Sequence, residues 1–218
     1  MLPPLGFIKK GSCAFPGPDD ARAAAEQFAT SDYLTALAGG SGLNARSKED
    51  VSSRLAGLCG VSVHYALQNN LRIAPSRFRK ELLRDNLHIV GRMDARMTMP
   101  DTDGAGDTAT ADPSLDRYSG LFASAVNDYL RSDLDVRDDL PYWFLNGDVG
   151  KAWNWRPGIQ GSQGYVDVSQ QLTDAMHLNP HLRVFIAAGL YDLATPYFAA
   201  VYTVNHLALD TGLKKNIV

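Results

Sequence analysis

Arg183-Val184-Phe185-Ile186-Ala187-Ala188 is a short apolar run with β-branched members, and Gly189-Leu190-Tyr191-Asp192-Leu193-Ala194-Thr195-Pro196 follows it. The run reads as a buried parallel strand that Gly189 ends. Thr195 fits the N-cap and Pro196 the first position of a helix. Phe198, Tyr202 and Asn205-His206-Leu207-Leu209 continue that helix at roughly helical spacing. A strand that delivers one carboxylate into the loop at its carboxyl end, just before a helix, is how open α/β sheets present working groups. From spacing alone, Asp192 better suits a plain turn, in which its side chain caps or hydrogen-bonds the loop backbone, because isolated Asp residues are common in such loops.

Working outward, Tyr165 to Met176 reads as a helix with Val168, Leu172 and Met176 on one face, joined to the strand through Asn179-Pro180. On the other side, Lys214-Lys215-Asn216-Ile217-Val218 opens a further apolar run. These pieces make residues 165–218 the only α/β unit, and one strand cannot bury itself. Residues 1–18 are rich in Pro and Gly and read as a connector. Residues 19–164 read as a mainly helical region. Asp19-Asp20 precede a helix to about Phe28, with acids well placed for its dipole. Ser31-Asp32 begin a second helix that Gly39-Gly40 ends, and Ser47-Lys48-Glu49-Asp50 resembles a capping box starting a third, to Cys59-Gly60. Val61 to Leu67, Pro75 to Arg84 and Leu115 to Leu130 are further helix candidates. Leu87 to Val90 and Ala95 to Met99 form a short strand pair. The polar stretch 100–114 reads as a mobile loop, and 131–164 as irregular chain carrying Trp143, Trp153 and Trp155.

The chain has 218 residues, 45% hydrophobic and 21% charged, which is the composition of a globular protein. A net charge of −3 gives no electrostatic reason to expect nucleic acid or an anionic membrane as partner. No apolar run approaches the roughly 20 residues of a membrane helix. The start, Met1-Leu2-Pro3-Pro4-Leu5-Gly6, lacks the basic and apolar regions of a signal peptide. Cys13 and Cys59 are too few for a disulfide framework or a metal site; they read either as one disulfide or as two buried thiols.

Acyl-transfer chemistry on a hydrolase sheet needs a Ser on a Gly-x-Ser-x-Gly elbow, then an acid, then a His. Gly39-Gly40-Ser41-Gly42-Leu43 misses the last Gly, and Gln160-Gly161-Ser162-Gln163-Gly164 misses the first. His206 lies inside the helix after Asp192 and reads as a helix-face residue rather than a base. Asp101-Thr102-Asp103-Gly104-Ala105-Gly106-Asp107, with Asp112, partly mimics a calcium loop, but Ala105 holds a ligand position and Asp112 replaces the bidentate Glu. A solvated acidic loop is the better reading. His177 and His181 have zinc-like spacing, yet Asn179-Pro180 breaks the helix between them. No metal or cofactor is expected. Trp153-Asn154-Trp155 either lines a cleft or pins its loop by packing.

Asn179-Pro180-His181-Leu182-Arg183-Val184 through Gly189 to Phe198 resembles bacterial members of the serine carboxypeptidase family. So do Phe28 to Gly39, Phe78-Arg79-Lys80-Glu81-Leu82-Leu83-Arg84-Asp85 with Val90-Gly91-Arg92-Met93-Asp94-Ala95-Arg96, and the Trp153-Asn154-Trp155 segment. The resemblance implies a partial α/β-hydrolase fold with a mainly helical cap, and a Ser-Asp-His triad that releases C-terminal residues from peptides. It makes Asp192 the triad acid. The family's Gly-Glu-Ser-Tyr-Gly-like nucleophile motif and its Gly-His-Met-like motif are both missing here. The chain is therefore expected to be a fragment without nucleophile or base, inactive alone, with a peptide as the family's substrate and an exposed sheet edge as a route to self-association. Members of that family are often exported. Two other readings share parts of this pattern. A non-catalytic helical binding module would reuse hydrolase parts, though Val184-Phe185-Ile186 is too apolar for a strand exposed on both faces. An esterase would share Asp192 but not the Trp-Asn-Trp and Arg-Asp patches.

Overall fold

Pro18 and Asp19-Asp20 open the first helix, α1 (Pro18–Phe28), in a computed structural model that describes residues 17–138, 140, 142–143, 145–154 and 167–218. Cys13, Trp155, Gly161-Ser162 and most of the expected connector lie outside the described residues. The chain divides into two units. One holds residues up to Asp116 together with Ala188–Ala199; the other holds Arg117–Ala187 with Ala200–Val218.

In the first unit, α1 does not stop before Ser31-Asp32 but passes through a π turn, Ala29–Tyr33, into α2 (Leu34–Gly39). The hydroxyls of Thr30 and Ser31 bond the carbonyls of Glu26 and Gln27 at 2.9 and 2.7 Å, which widens the ladder at that point. Gly40, at φ 51°, ends α2. Helix α3 (Ala45–Cys59) is capped by Asn44, whose side chain accepts from Ser47 N, and is closed by Gly60 at φ 76°. Helices α4 (Val63–Gln68) and α5 (Pro75–Glu81) follow. Strands β1 (His88–Val90) and β2 (Thr98–Pro100) pair antiparallel with Ile89 opposite Met99. The core gathers Phe28, Leu55, Cys59, Phe78, Val90 and Leu193. Cys59 is a free, buried thiol. The hydroxyl of Tyr33 donates to the carbonyl of Leu71 at 2.5 Å, tying the end of the π turn to the turn after α4.

Helix α6 (Pro113–Ser132) begins in the first unit, and Gly147–Ala152 (α7) and Ser169–Leu178 (α8) belong to the second. Helix α9 (Tyr197–Asn205) and α10 (Thr211–Lys214) complete the described helices. The second unit's core is small. Met176 of α8 is fully buried with Leu207 and Leu209, and Leu172, Leu182, Val184, Leu213 and Ile217 pack against them. Val168, expected on the same face as Leu172 and Met176, is exposed just ahead of α8.

This architecture corrects the expected α/β-hydrolase fold. The described residues are mostly helical, and their one sheet is the antiparallel β1–β2 pair. The run Arg183–Ala188 does not become a buried central strand. It makes a single parallel bridge, Val184 with Ile217. Val184 N donates to Asn216 O at 2.9 Å, Ile186 N to Val218 O at 2.7 Å, and Val218 N to Val184 O at 2.9 Å. Val184 packs against the Met176 cluster, and both Val184 and Ile186 are half-buried, while Phe185 between them is 81% exposed. With a neighbour along one edge only among the described residues, the run alternates in and out from Val184 to Ile186 as a one-faced strand does, instead of being covered on both faces.

Candidate functional site

The acid loop starts from a tight turn in which Asp192 N donates to Gly189 O at 3.2 Å. The half-buried Asp192 carboxylate is held by the residues just after it. Its Oδ1 accepts from Ala194 N at 2.7 Å and Thr195 N at 2.9 Å, and its Oδ2 accepts from the Thr195 hydroxyl at 2.6 Å. Thr195 thus serves the carboxylate as well as standing just before α9. These bonds satisfy the plain turn reading of Asp192 in full. A carboxylate has about four acceptor positions, so among the described residues one on this carboxylate is left for a further donor.

The loop is fastened to the rest of its unit from both sides of Asp192. Leu193, 4% exposed, drops into the helical core, and its N–H donates to Arg92 O at 2.9 Å. Ala95 N donates to Tyr191 O at 3.0 Å, and the Arg96 guanidinium lies 4.5 Å from the centre of the Tyr191 ring. Arg96 is itself oriented by Asp94, which takes its Nε at 2.9 Å and its Nη2 at 2.6 Å. At the start of α9 the Tyr197 hydroxyl donates to Glu26 Oε1 at 2.6 Å, and burial, then that bond, push the Tyr197 hydroxyl upward. Two of the sequence patches singled out above, Gly91–Arg96 and Gly189–Thr195, are therefore in contact.

Other candidates are not assembled into chemistry. Gly40–Gly42 forms a 3-10 turn after α2 with Ser41 exposed, so no strand presents that serine on an elbow. His206 is exposed, stacks on Tyr202 at 3.9 Å, and has its Nδ1 2.7 Å from Tyr202 O. His177 Nδ1 lies 2.9 Å from Thr173 O, within its own helix. Among the described residues no histidine joins an ion pair, and no three His, Cys, Asp or Glu side chains come together as a metal site. Trp153 is 60% exposed; Trp155 lies outside the described residues. No described helix is long and apolar enough to cross a membrane.

Sequence reasoning missed how the stretch 100–114 is held. It is tied to α5 and the residues just beyond it by four cations. Lys80, 0% exposed, lies 2.5 Å from Asp101 Oδ2 and also donates to the carbonyl of Asp103. Arg84 donates to Gly104 O at 2.7 Å and to Gly106 O at 3.0 Å. Arg77 reaches Asp107 at 3.4 Å, and Arg79 donates to Ala111 O at 2.7 Å. Where a calcium loop turns its oxygens on an ion, this loop turns them on an ammonium and guanidinium groups. The signal was present in the sequence as a basic run, Arg77, Arg79, Lys80 and Arg84, facing an acidic one.

The described chain is thus a mainly helical protein carrying one locally braced carboxylate on a docked loop. No protein-family model, curated protein or solved structure matches it.

Proposed function

We propose that the chain carries the acid of a serine carboxypeptidase-like hydrolase, with Asp192 as the group that orients and stabilises an imidazolium during release of C-terminal residues from peptides. The observation that supports this reading is the Asp192 geometry. Three short local bonds fix its rotamer, one acceptor position stays open among the described residues, and the carboxylate is half-buried at the surface rather than lost in the core. The family resemblance of the Asn179–Phe198 stretch supplies the choice of chemistry. Nucleophile and base have no counterpart beside the acid among the described residues, so the 218-residue chain alone is expected not to hydrolyse peptides. The gene's flanking DNA tests the reading. An in-frame Gly-x-Ser-x-Gly run upstream and a His-bearing run downstream support it; stop codons closing both flanks without them overturn it. Blocked dipeptides test the chain itself. Hydrolysis should equal that of an Asp192→Asn control, and activity abolished by that substitution would reveal an unrecognised nucleophile.

The helical architecture favours a second reading, a non-catalytic binding module. Its support is the apolar surface of the second unit, where Leu178, Phe185 and Val218 are 88%, 81% and 77% exposed. Sedimentation velocity distinguishes the two: association with concentration that Phe185→Glu abolishes supports a working contact surface, and a monomer at every concentration removes self-association as its use.

A further inference from the structure

Asp112 and Arg79 lie in the same unit as Asp192 yet touch none of its atoms directly, and a continuous chain of bonds joins them to its loop. Arg79, with its side chain 9% exposed, sits at the base. Its Nε donates to Val90 O at 2.9 Å and its Nη2 to Ala111 O at 2.7 Å, while Nη2 lies 3.7 Å from Asp112 Oδ1. That oxygen of Asp112 accepts from Arg92 N at 2.9 Å, from Ser114 N at 3.1 Å and from the Ser114 hydroxyl at 2.6 Å. The Ser114 hydroxyl accepts in turn from Met93 N at 2.9 Å. Consecutive amides of the Gly91–Asp94 turn are thereby held from below. The carbonyl of Arg92 then receives Leu193 N, the amide next to Asp192.

Residues 189–196 have no strand or helix of their own. Among the described residues, and apart from the Ala199 N to Pro196 O bond that leads into α9, their backbone hydrogen bonds to the rest of the unit are Leu193 N to Arg92 O and Ala95 N to Tyr191 O. The placement of the acid loop thus depends on where the 91–95 turn is held. A catalytic carboxylate must keep its position to within about half an ångström, so the groups that lock its supports matter as much as its own contacts.

We infer that Asp112, anchored by Arg79, is a positioning residue for the Asp192 loop, acting through Arg92 and Met93. This rests on the reading of Asp192 as a triad acid for its functional meaning; the physical coupling stands apart from it. If the flanking gene lacked a serine and a histidine, the coupling would remain and only its use would change.

Residue-resolved amide exchange on the full 218-residue chain tests the coupling. Asp112→Ala should raise exchange at Leu193 and Ala95 roughly tenfold while leaving the α3 amides protected. Asp112→Asn keeps an oxygen acceptor for Arg92 N and Ser114, and should stay within about threefold of the parent. Asp112→Leu keeps the bulk without an acceptor and should exchange like Asp112→Ala; parent-like exchange in Asp112→Leu would show a merely space-filling role and overturns the inference. Unchanged exchange at Leu193 and Ala95 in Asp112→Ala overturns the inference, as does an equal rise across α3. Should Asp112→Ala not fold, Ser114→Ala, which removes the acceptor of Met93 N, must raise Leu193 exchange severalfold; no rise there overturns it as well.

Discussion

Lys80 Nζ lies 2.5 Å from Asp101 Oδ2, and the two side chains are 0% and 1% exposed. Among the described residues the ammonium is the one group given to that oxygen; Asp101 Oδ1 accepts from Asp103 N at 3.1 Å. A buried pair of this kind adds little over an apolar pair of the same shape, but removing one partner leaves a charge stranded out of water. Asp101→Asn should therefore lower unfolding stability by about 3 kcal/mol in urea denaturation, and Lys80→Met with Asp101→Leu should recover most of that loss. Equal losses in the single and double variants would show that the pair holds the 100–114 loop in some other way.

Acid should weaken the first unit for the same reason. The hydrogen bond from Lys80 holds the Asp101 carboxyl below its usual range, and bonding to Arg96 does the same for Asp94. At Asp112 burial pushes upward, but the Ser114 hydroxyl, the Arg92 amide and the Arg79 charge together bring the carboxyl down. A carboxyl depressed in the folded state contributes stability that is complete above its unfolded value, about 3.9, and disappears as pH falls through the folded one. The urea midpoint should be nearly flat from about pH 7 to about pH 5 and drop below about pH 4. The gap between the parent and Asp101→Asn should shrink over that drop; a gap as wide at about pH 3 as at neutrality contradicts the assignment.

The elements legible in the sequence are those whose punctuation is local. Gly40 and Gly60 both take positive φ where the residue pattern ends a helix, and the strand pair forms where it is expected, β1 one residue shorter and β2 starting three residues later than Ala95. The capping-box pattern Ser47–Asp50 points to a start at Ser47, three residues past the actual cap, Asn44, whose side chain accepts from Ser47 N. The order of 100–114 was invisible for a different reason. Polar composition signals a loop, whereas its fastening comes from cations on another element, which no local window contains. Arg183–Ala188 failed as a central strand because an apolar run does not record how many neighbours it will have. Asp192 was legible as a loop carboxylate ahead of a helix; its dependence on Arg92, and of Arg92 on Asp112, was not.

Cys59, 4% exposed in the core of the first unit, has its thiol pushed upward by burial. The thiolate is the reactive form, so a raised and enclosed thiol is doubly protected. In a Cys13→Ser background, an aromatic disulfide reagent should label Cys59 only as fast as the unit opens, with a rate that climbs steeply in urea. Labelling of the folded chain at the rate of a free thiol would place Cys59 outside the core.

Gly91 shows how little room the turn beneath the acid loop allows. It is buried, and its N–H donates to Met97 O at 2.8 Å. A methyl group added there would press on the carbonyl oxygen of Asp94 and lie 3.0 Å from the Cβ and Oγ of Ser114. The Asp94 oxygen is backbone and cannot swing aside, so the turn itself has to open. Gly91→Ala should cost about 1–3 kcal/mol, the usual range for overpacking, read as a lower urea midpoint by far-ultraviolet circular dichroism. Ser114→Gly added to it should restore little, because the clash with the Asp94 carbonyl remains. A Gly91→Ala protein within about 0.5 kcal/mol of the parent would mean that the turn has slack, and a slack turn cannot fix the position of Leu193 or of the carboxylate beside it.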